Sequence, residues 1–369
     1  MELNFTDEEY KNIAMQSEPY SKVKSEHKIS DAFMLLLKGV KKQDLSYLCS
    51  RIQQDFEKAD INLTIEECYS ITQGDLDNIS VDKEKIEDFT EKAVGDYLLD
   101  LSYECIEEDG KHLGDNIIPK TTINTSSWIS HSLYEARAAQ DLARILDLDT
   151  EKAGVLGILH DYGRKYIHDF SHVTKGYEAL VKEGWEKEAR ATITHSFINA
   201  GRCANCDPAE KGFYINEEGK PAWELDAEKD DITGVLENMT YDDYDMILNI
   251  ADLMATDRGI TSPYDRVQDV ATRKSPDLKN RGYFLSEFTN KLIYVIGRVN
   301  GNENYELDNV NPLMNLEELT LKFKETSEVF HNIFTSKISI NNLVRNALEN
   351  GIGLLSTPTN EKGKDKTRE

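Results

Sequence analysis

The 369-residue chain has no apolar run long enough to cross a bilayer. Its best candidates, near Ala32–Val40 and Leu292–Val299, fall well short of the roughly 20 residues a spanning helix needs. The opening stretch, MELNFTDEEYKN, lacks the basic and apolar regions of a secretory signal, so the expected compartment is the cytoplasm, with no membrane partner. Positive charge is also scarce: 43 Lys and Arg stand against 68 Asp and Glu, a formal net charge of -25. Long nucleic acid is held largely by cations that neutralise phosphates, so it is not an expected partner. A small phosphorylated ligand held by a few local cations stays open. The five cysteines (Cys49, Cys68, Cys105, Cys203 and Cys206) are odd in number and widely spread, which argues against a disulfide framework. Strand-like alternation is rare, and there is no internal repeat.

What is present points to a soluble helical protein. A hydrophobic fraction of 39% with 9% aromatics can build a core, and the length allows one large domain or two ordinary ones. Ser30–Phe56 carries Phe33, Leu36, Leu37, Val40, Leu45 and Leu48 near helical spacing, and Ile86–Leu101 repeats the habit. Thr64 and Ser80 are candidate caps. Residues 1–115 therefore read as a helical accessory region, with His27 and His112 isolated in it and self-association through its helices left open.

The segment Asp109–Ser127 shifts to Gly, Pro, Asn, Thr and Ser and marks a boundary. Beyond it, 116–300 reads as a second helical domain. Helices are expected over His131–Leu146, over Ala153–Leu159 behind an Asp149 or Thr150 cap, and from a Ser171 cap to Val181. Others are expected over Trp185–Asn199, Tyr241–Asp257 and Leu285–Arg298. Gly163 is a plausible stop for the second of these. An acidic insertion lies near 199–240: the stretch Asn199–Asp245 has thirteen acidic and four basic residues, and reads as a surface excursion or lid. Further helices over 301–355 and a disordered tail over 356–369 complete the expected order. The fold class is all-α.

Histidine placement carries the chemistry. Five of eight histidines, His131, His160, His168, His172 and His195, fall within 65 residues. Imidazoles joined by carboxylates hold transition metals in open catalytic sites, and helices of a bundle can each supply one or two ligands to paired ions. His160 and Asp161 are adjacent, so on a regular helix they diverge by roughly 100°. Both can reach one ion only near a helix end, which Gly163 supplies.

The order His131, His160-Asp161, His172, His195 and Asp252 resembles the HD-domain superfamily of metal-dependent phosphohydrolases. The local contexts are GILHDYGRK, SHVTKGYEAL, ATITHS and NIADLMATDRG. The resemblance spans Ser127–Arg266 and is nearest to the branch with extra histidines, which includes dinuclear hydrolases of dinucleoside polyphosphates. It implies an HD-type helical bundle with an N-terminal helical extension and extra C-terminal helices. It further implies one divalent ion on His131, His160, Asp161 and Asp252, and a second on His172 and His195 with Asp161 bridging. The metal, of the Mn, Fe, Co, Ni or Zn type, stays open. Such a pair activates water and clamps phosphoryl oxygens, so Asp161 is the expected catalytic centre and the substrate a nucleotide-like small molecule. Arg164 takes the place where the family usually has Lys, and its planar cation suits phosphate both for binding and in the transition state. Lys165, Lys175 and Arg258 are further substrate-binding candidates. His160 to His195 holds six basic and six acidic residues, a neutral stretch in an acidic chain.

Several features have blander readings. His168-Asp169 repeats the doublet but follows charged and aromatic residues, so a surface role is favoured. Cys203-x-x-Cys206 is half a zinc site at best. The acidic run Tyr241–Asp245 sits where carboxylates favour a helix N-terminus, and capping is preferred over cation binding. Two rival functions also remain: an HD-type di-iron oxygenase, since imidazole and carboxylate suit iron equally, and a non-catalytic nucleotide-binding sensor or interaction module.

Overall fold

A computed structural model describes residues 19–23, 26–77, 79, 81, 85–86, 127–168, 172–196, 241–257, 259–274, 281–301, 310–311 and 314–349. These hold eleven α-helices and no strand, the all-α class that the sequence predicts. In chain order they are α1 (Ile29–Leu37), α2 (Ser46–Glu57), α3 (Ile65–Thr72), α4 (Ser127–Ile145), α5 (Thr150–Leu159) and α6 (His172–Lys182). Then come α7 (Arg190–Thr194), α8 (Asp243–Asp252), α9 (Pro263–Lys274), α10 (Arg281–Val299) and α11 (Leu316–Glu349). A 3₁₀ turn, Tyr162–Lys165, follows α5.

Local chemistry explains several helix starts. Thr64 accepts from the Glu67 amide while Glu67 reaches back to the Thr64 amide, a reciprocal cap that starts α3. Asp149 accepts from the Glu151 and Lys152 amides and starts α5. Asp242 and Asp245 cap α8 in the same reciprocal way, so the acidic run does serve a helix start. The apolar stretch Ser30–Phe56 spans two helices, and Gly39, at φ +80°, turns the chain between them. The helix expected over Trp185–Asn199 is short, with only Arg190–Thr194 helical among its described residues. One element was unforeseen, α9, a mostly polar helix whose apolar face is narrow, with Val267 buried on it.

Two backbone contacts place the histidine-bearing elements. A Cβ on Gly157 would lie 2.5 Å from Ala136 Cα, so α4 and α5 cross at near-backbone contact. That crossing sets the polar side chains of α4 beside the end of α5. A Cβ on Gly163 would lie 1.8 Å from the His172 carbonyl oxygen, and one on Gly176 would lie 2.9 Å from Gly163 N. The 3₁₀ turn therefore rests directly on the first turns of α6.

The N-terminal helices share one continuous core with this cluster, and Ile29, Phe33 and Leu36 are buried in it together with Ile158 and Leu159. The Ile29 amide donates to Glu151 at 2.6 Å and the Ser21 amide to Asp242 at 2.6 Å. His27 stacks on Trp185 with ring centroids 3.7 Å apart. At the other end, α10 and α11 pack along each other, with Leu292, Phe323, Phe330 and Phe334 buried. The expected segments Ile86–Leu101, 199–240 and 356–369, together with Ser80 and Ser171, lie outside the described residues, apart from Ile86 itself.

Candidate metal centre

Four imidazoles and three carboxylates meet where α4, α5, α6, α7 and α8 converge. α4 contributes His131 and Glu135, one turn apart on the face turned to α5. His160 closes the C-terminal end of α5, and Asp161 begins the 3₁₀ turn, where the helical divergence between neighbours no longer applies. His172 opens α6, His195 follows α7, and Asp252 ends α8.

The donor atoms form two groups. Those of His131, Glu135, His160 and Asp252 all lie within 4.8 Å of one another, and so do those of Asp161, His172 and His195. In the first group His131 Nε2 is 3.0 Å from Asp252 Oδ1 and 3.6 Å from Glu135 Oε2, while His160 Nε2 is 2.7 Å from Glu135 Oε2. In the second, Asp161 Oδ1 is 3.0 Å from His172 Nε2 and 3.6 Å from His195 Nε2. Asp161 Oδ2 lies 3.6 Å from His160 Nε2, so the carboxylate faces both groups. Ring centroids of His160 and His195 are 5.0 Å apart.

The tautomers are fixed from outside. His160 Nδ1 lies 2.7 Å from the Gly157 carbonyl and His195 Nδ1 lies 3.1 Å from that of Ala191. A carbonyl only accepts, so each Nδ1 carries the proton and each Nε2 turns a lone pair inward, the arrangement usual for metal-binding histidines. Burial lowers the pKa of His160 to about 3 and that of His195 to about 4, so both rings are neutral at pH 7. Burial alone would raise Asp161 and Asp252. The adjoining imidazoles outweigh it and hold both below the usual carboxylate range, with Arg164 adding to the effect at Asp161.

Glu135 is the residue that sequence reasoning missed. It is fully buried (0% exposed), and neither carboxylate oxygen has a hydrogen-bond donor. Burial first, then the charges of Asp252 and Asp161, push its pKa well above the ordinary glutamate value. Its Oε2 faces the lone pair of His160 Nε2, which is itself without a hydrogen bond, as is Asp161 Oδ1. Buried polar atoms normally find partners, and these converge on common points instead. Neutral imidazole nitrogens and carboxylate oxygens are the donor types of divalent transition ions, so the residues fit such a group. The available signal was its spacing, four residues after His131, on an otherwise apolar helix face.

Arg164 is beside the cluster: its Nε donates to Asp161 Oδ2 at 3.0 Å and its Nη1 to the His168 carbonyl at 3.0 Å. Lys165 turns toward α1, donating to the Leu35 carbonyl at 3.3 Å, and burial lowers its pKa to about 8. Lys175 pairs with Glu178 at 3.1 Å. The His168 side chain is exposed, and no donor group within ligand reach includes it among the described residues. Arg258, Asp169, Cys203 and Cys206 lie outside the described residues. The edge that opens to solvent is at Asp252, whose side chain is 34% exposed against 7% for Asp161 and 0% for His160.

Residues 128–257 match the family model described as HD domain, which covers all seven donors. HD domains are helical, bind divalent metals and are in general metal-dependent phosphohydrolases. Comparison with curated proteins and with solved structures gave no match.

Proposed function

We propose, with the HD domain at residues 128–257 as premise, that the chain hydrolyses a phosphomonoester or phosphoanhydride bond in a nucleotide-like small molecule. The observation that carries this reading is the pair of adjoining donor groups, with Asp161 in the second and turned by its Oδ2 toward His160 of the first. In this reading His131, Glu135, His160 and Asp252 hold one divalent ion, His172 and His195 hold a second, and Asp161 serves both. Ions so held supply Lewis acidity that makes water a competent nucleophile near neutral pH and offsets phosphoryl charge.

The chain's own residues do the rest. The backbone carbonyls of Gly157 and Ala191 keep Nε2 of His160 and His195 unprotonated and directed inward. Arg164 donates to Asp161 Oδ2, the oxygen turned toward His160, and leaves Oδ1 facing His172 and His195. Its position, partly exposed beside the cluster, also suits a phosphate oxygen of an incoming substrate. Three carboxylates crowd the pocket, and the cations that act on them include Arg164 and, at Glu135, Arg266. Two divalent ions would turn this excess negative and buried charge into a net positive one, which favours an anionic ligand over a neutral one.

A panel of nucleoside monophosphates, polyphosphates and dinucleoside polyphosphates, assayed without oxygen and with manganese supplied, tests the proposal. Orthophosphate or nucleotide release that disappears in Asp161→Ala supports it. Oxygen-dependent turnover without phosphate release would mean the oxygenase chemistry, and tight nucleotide binding without product a sensor. Either result overturns hydrolysis.

A further inference from the structure

His195 sits in a precarious place. α7 has five residues, far below the length at which a helix is stable alone, and its last carbonyls have no partner within the helix. A polar network from α8 and α10 grips it at both ends. At its start, Arg190 donates from Nε and Nη2 to the two oxygens of Asp245, at 3.1 and 2.6 Å. At its finish, Asn249 Nδ2 donates to the carbonyls of Thr194 and His195, at 2.7 and 3.1 Å. Asp245 and Asn249 are one turn apart on α8, and Asp252 follows three residues later.

Asn249 is itself held from outside the HD segment. Lys291, on α10, donates to Asn249 Oδ1 at 2.6 Å, and both side chains are buried. The amide can have only one orientation here, because an ammonium only donates and the two carbonyls only accept. Burying a lysine costs free energy that ordinary packing would avoid, and burial lowers its pKa to about 8 despite Glu287 and Asp245 nearby. A leucine or methionine would fill the same space without that cost.

We infer that Asn249 and Lys291 are positioning residues for the second metal: the Lys291–Asn249 pair clamps the backbone of His195, so that α10, beyond the HD match, completes the site. The inference rests on the proposed metal centre and adds to it a dependence on residues that touch no metal. Asn249 also ties His195 to the helix that carries Asp252, so the clamp fixes the spacing between the two donor groups.

The test uses the full chain, stripped with chelator and titrated with manganese(II), with binding followed at each site and unfolding of the metal-free protein followed in parallel. Asn249→Asp keeps the volume and can still accept from Lys291, but it cannot donate to the carbonyls. Lys291→Met removes the cation, and Lys291→Arg restores a donor. With three protein donors against four, the second site should be the weaker, and Asn249→Asp and Lys291→Met are each expected to weaken it by about 10–100-fold, the usual cost of losing an outer partner, with Lys291→Arg recovering most of it. The tighter site should change little. Manganese affinities equal to wild type at both sites, with only the metal-free melting temperature lowered, would overturn the clamp while leaving the metal centre intact. If Asn249→Asp does not fold, the Lys291→Met and Lys291→Arg pair decides, a shared loss or no loss counting against the clamp. Absence of manganese binding in the wild type overturns both the clamp and the metal centre.

Discussion

Glu135 Oε2 lies 2.7 Å from His160 Nε2, yet no proton of the histidine stands between them, because His160 carries its proton on Nδ1 toward Gly157. A carboxylate oxygen and an imidazole lone pair at that distance repel unless a proton or a cation is placed between them. In metal-free protein burial and the charges of Asp252 and Asp161 raise the Glu135 pKa, which favours a proton there; an ion between the two atoms would relieve the same repulsion.

Replacement of Glu135 by Gln should therefore act in opposite directions on the two forms. The metal-free variant should melt at or above wild type, since a buried carboxylate beside two others is a liability without a cation. The loaded variant should bind manganese more weakly by more than the roughly 10–100-fold lost with an outer partner. Thermal melts with and without metal check both signs. Unchanged manganese affinity would remove Glu135 from the ligand set.

Acidification should destabilise the metal-free protein through His160 and His195. Their folded values, about 3 and about 4, lie below the ordinary histidine value near 6.5, so the unfolded chain takes up protons first. Stability is then fully present above about pH 6.5 and falls as the pH drops toward 4, by up to about 1.4 kcal/mol per pH unit for each ring. Asp161 and Asp252, held low, add the same sign at lower pH. Glu135 works the other way, because a raised carboxyl favours the folded state on acidification, so the cleanest background is Glu135→Gln. Denaturant unfolding at pH 7, 6 and 5 measures the slope, and a flat profile would mean that the two rings are not buried neutral.

Gly163→Ala should cost about 1–3 kcal/mol or more, as overpacking of a tight contact does. The added methyl would meet the His172 carbonyl oxygen at 1.8 Å, which no small shift relieves. Because the clash forces α6 away from Asp161, binding at the second metal site should fall along with the melting temperature. Wild-type manganese binding in this variant would show that His172 is not placed by the contact.

Arg164→Ala should lower kcat/KM by about 10–100-fold, the scale of a charge-assisted hydrogen bond worth about 1.5–3 kcal/mol. Metal content should stay near wild type, because Asp161 Oδ1, the oxygen nearest His172 and His195, makes no bond to Arg164. Steady-state kinetics on the substrate identified from the nucleotide panel decide it, and unchanged kcat/KM would leave Arg164 with only its structural partners, Asp161 and the His168 carbonyl.

Much of this was legible in the residues. The caps at Thr64 and Asp149 and the helix start in the acidic run follow from side chains acting on amides two or three positions away. Local chemistry of that kind is written in order along the chain. The convergence of His131, His160, Asp161, His172, His195 and Asp252 was legible only as a combined pattern, since no one of these residues is distinctive alone. Glu135 was not found because a charged residue on a helix is ordinarily solvated, and its burial depends on the close crossing at Gly157 and Ala136. Lys165 and Lys175 had no sequence signal for direction: the fold turns one to the Leu35 carbonyl and the other to Glu178. Nor could Lys291 be tied to His195, since the contact joins positions almost a hundred residues apart through Asn249.

The presence of the dinuclear centre is decided by metal per chain, measured by elemental analysis on wild type and Asp161→Ala purified together without chelator. About two first-row divalent ions are expected in the wild type and a large loss in the variant, whose helical content is preserved. Wild-type protein that holds no metal even after reloading, or a variant that holds as much as the wild type, would contradict it.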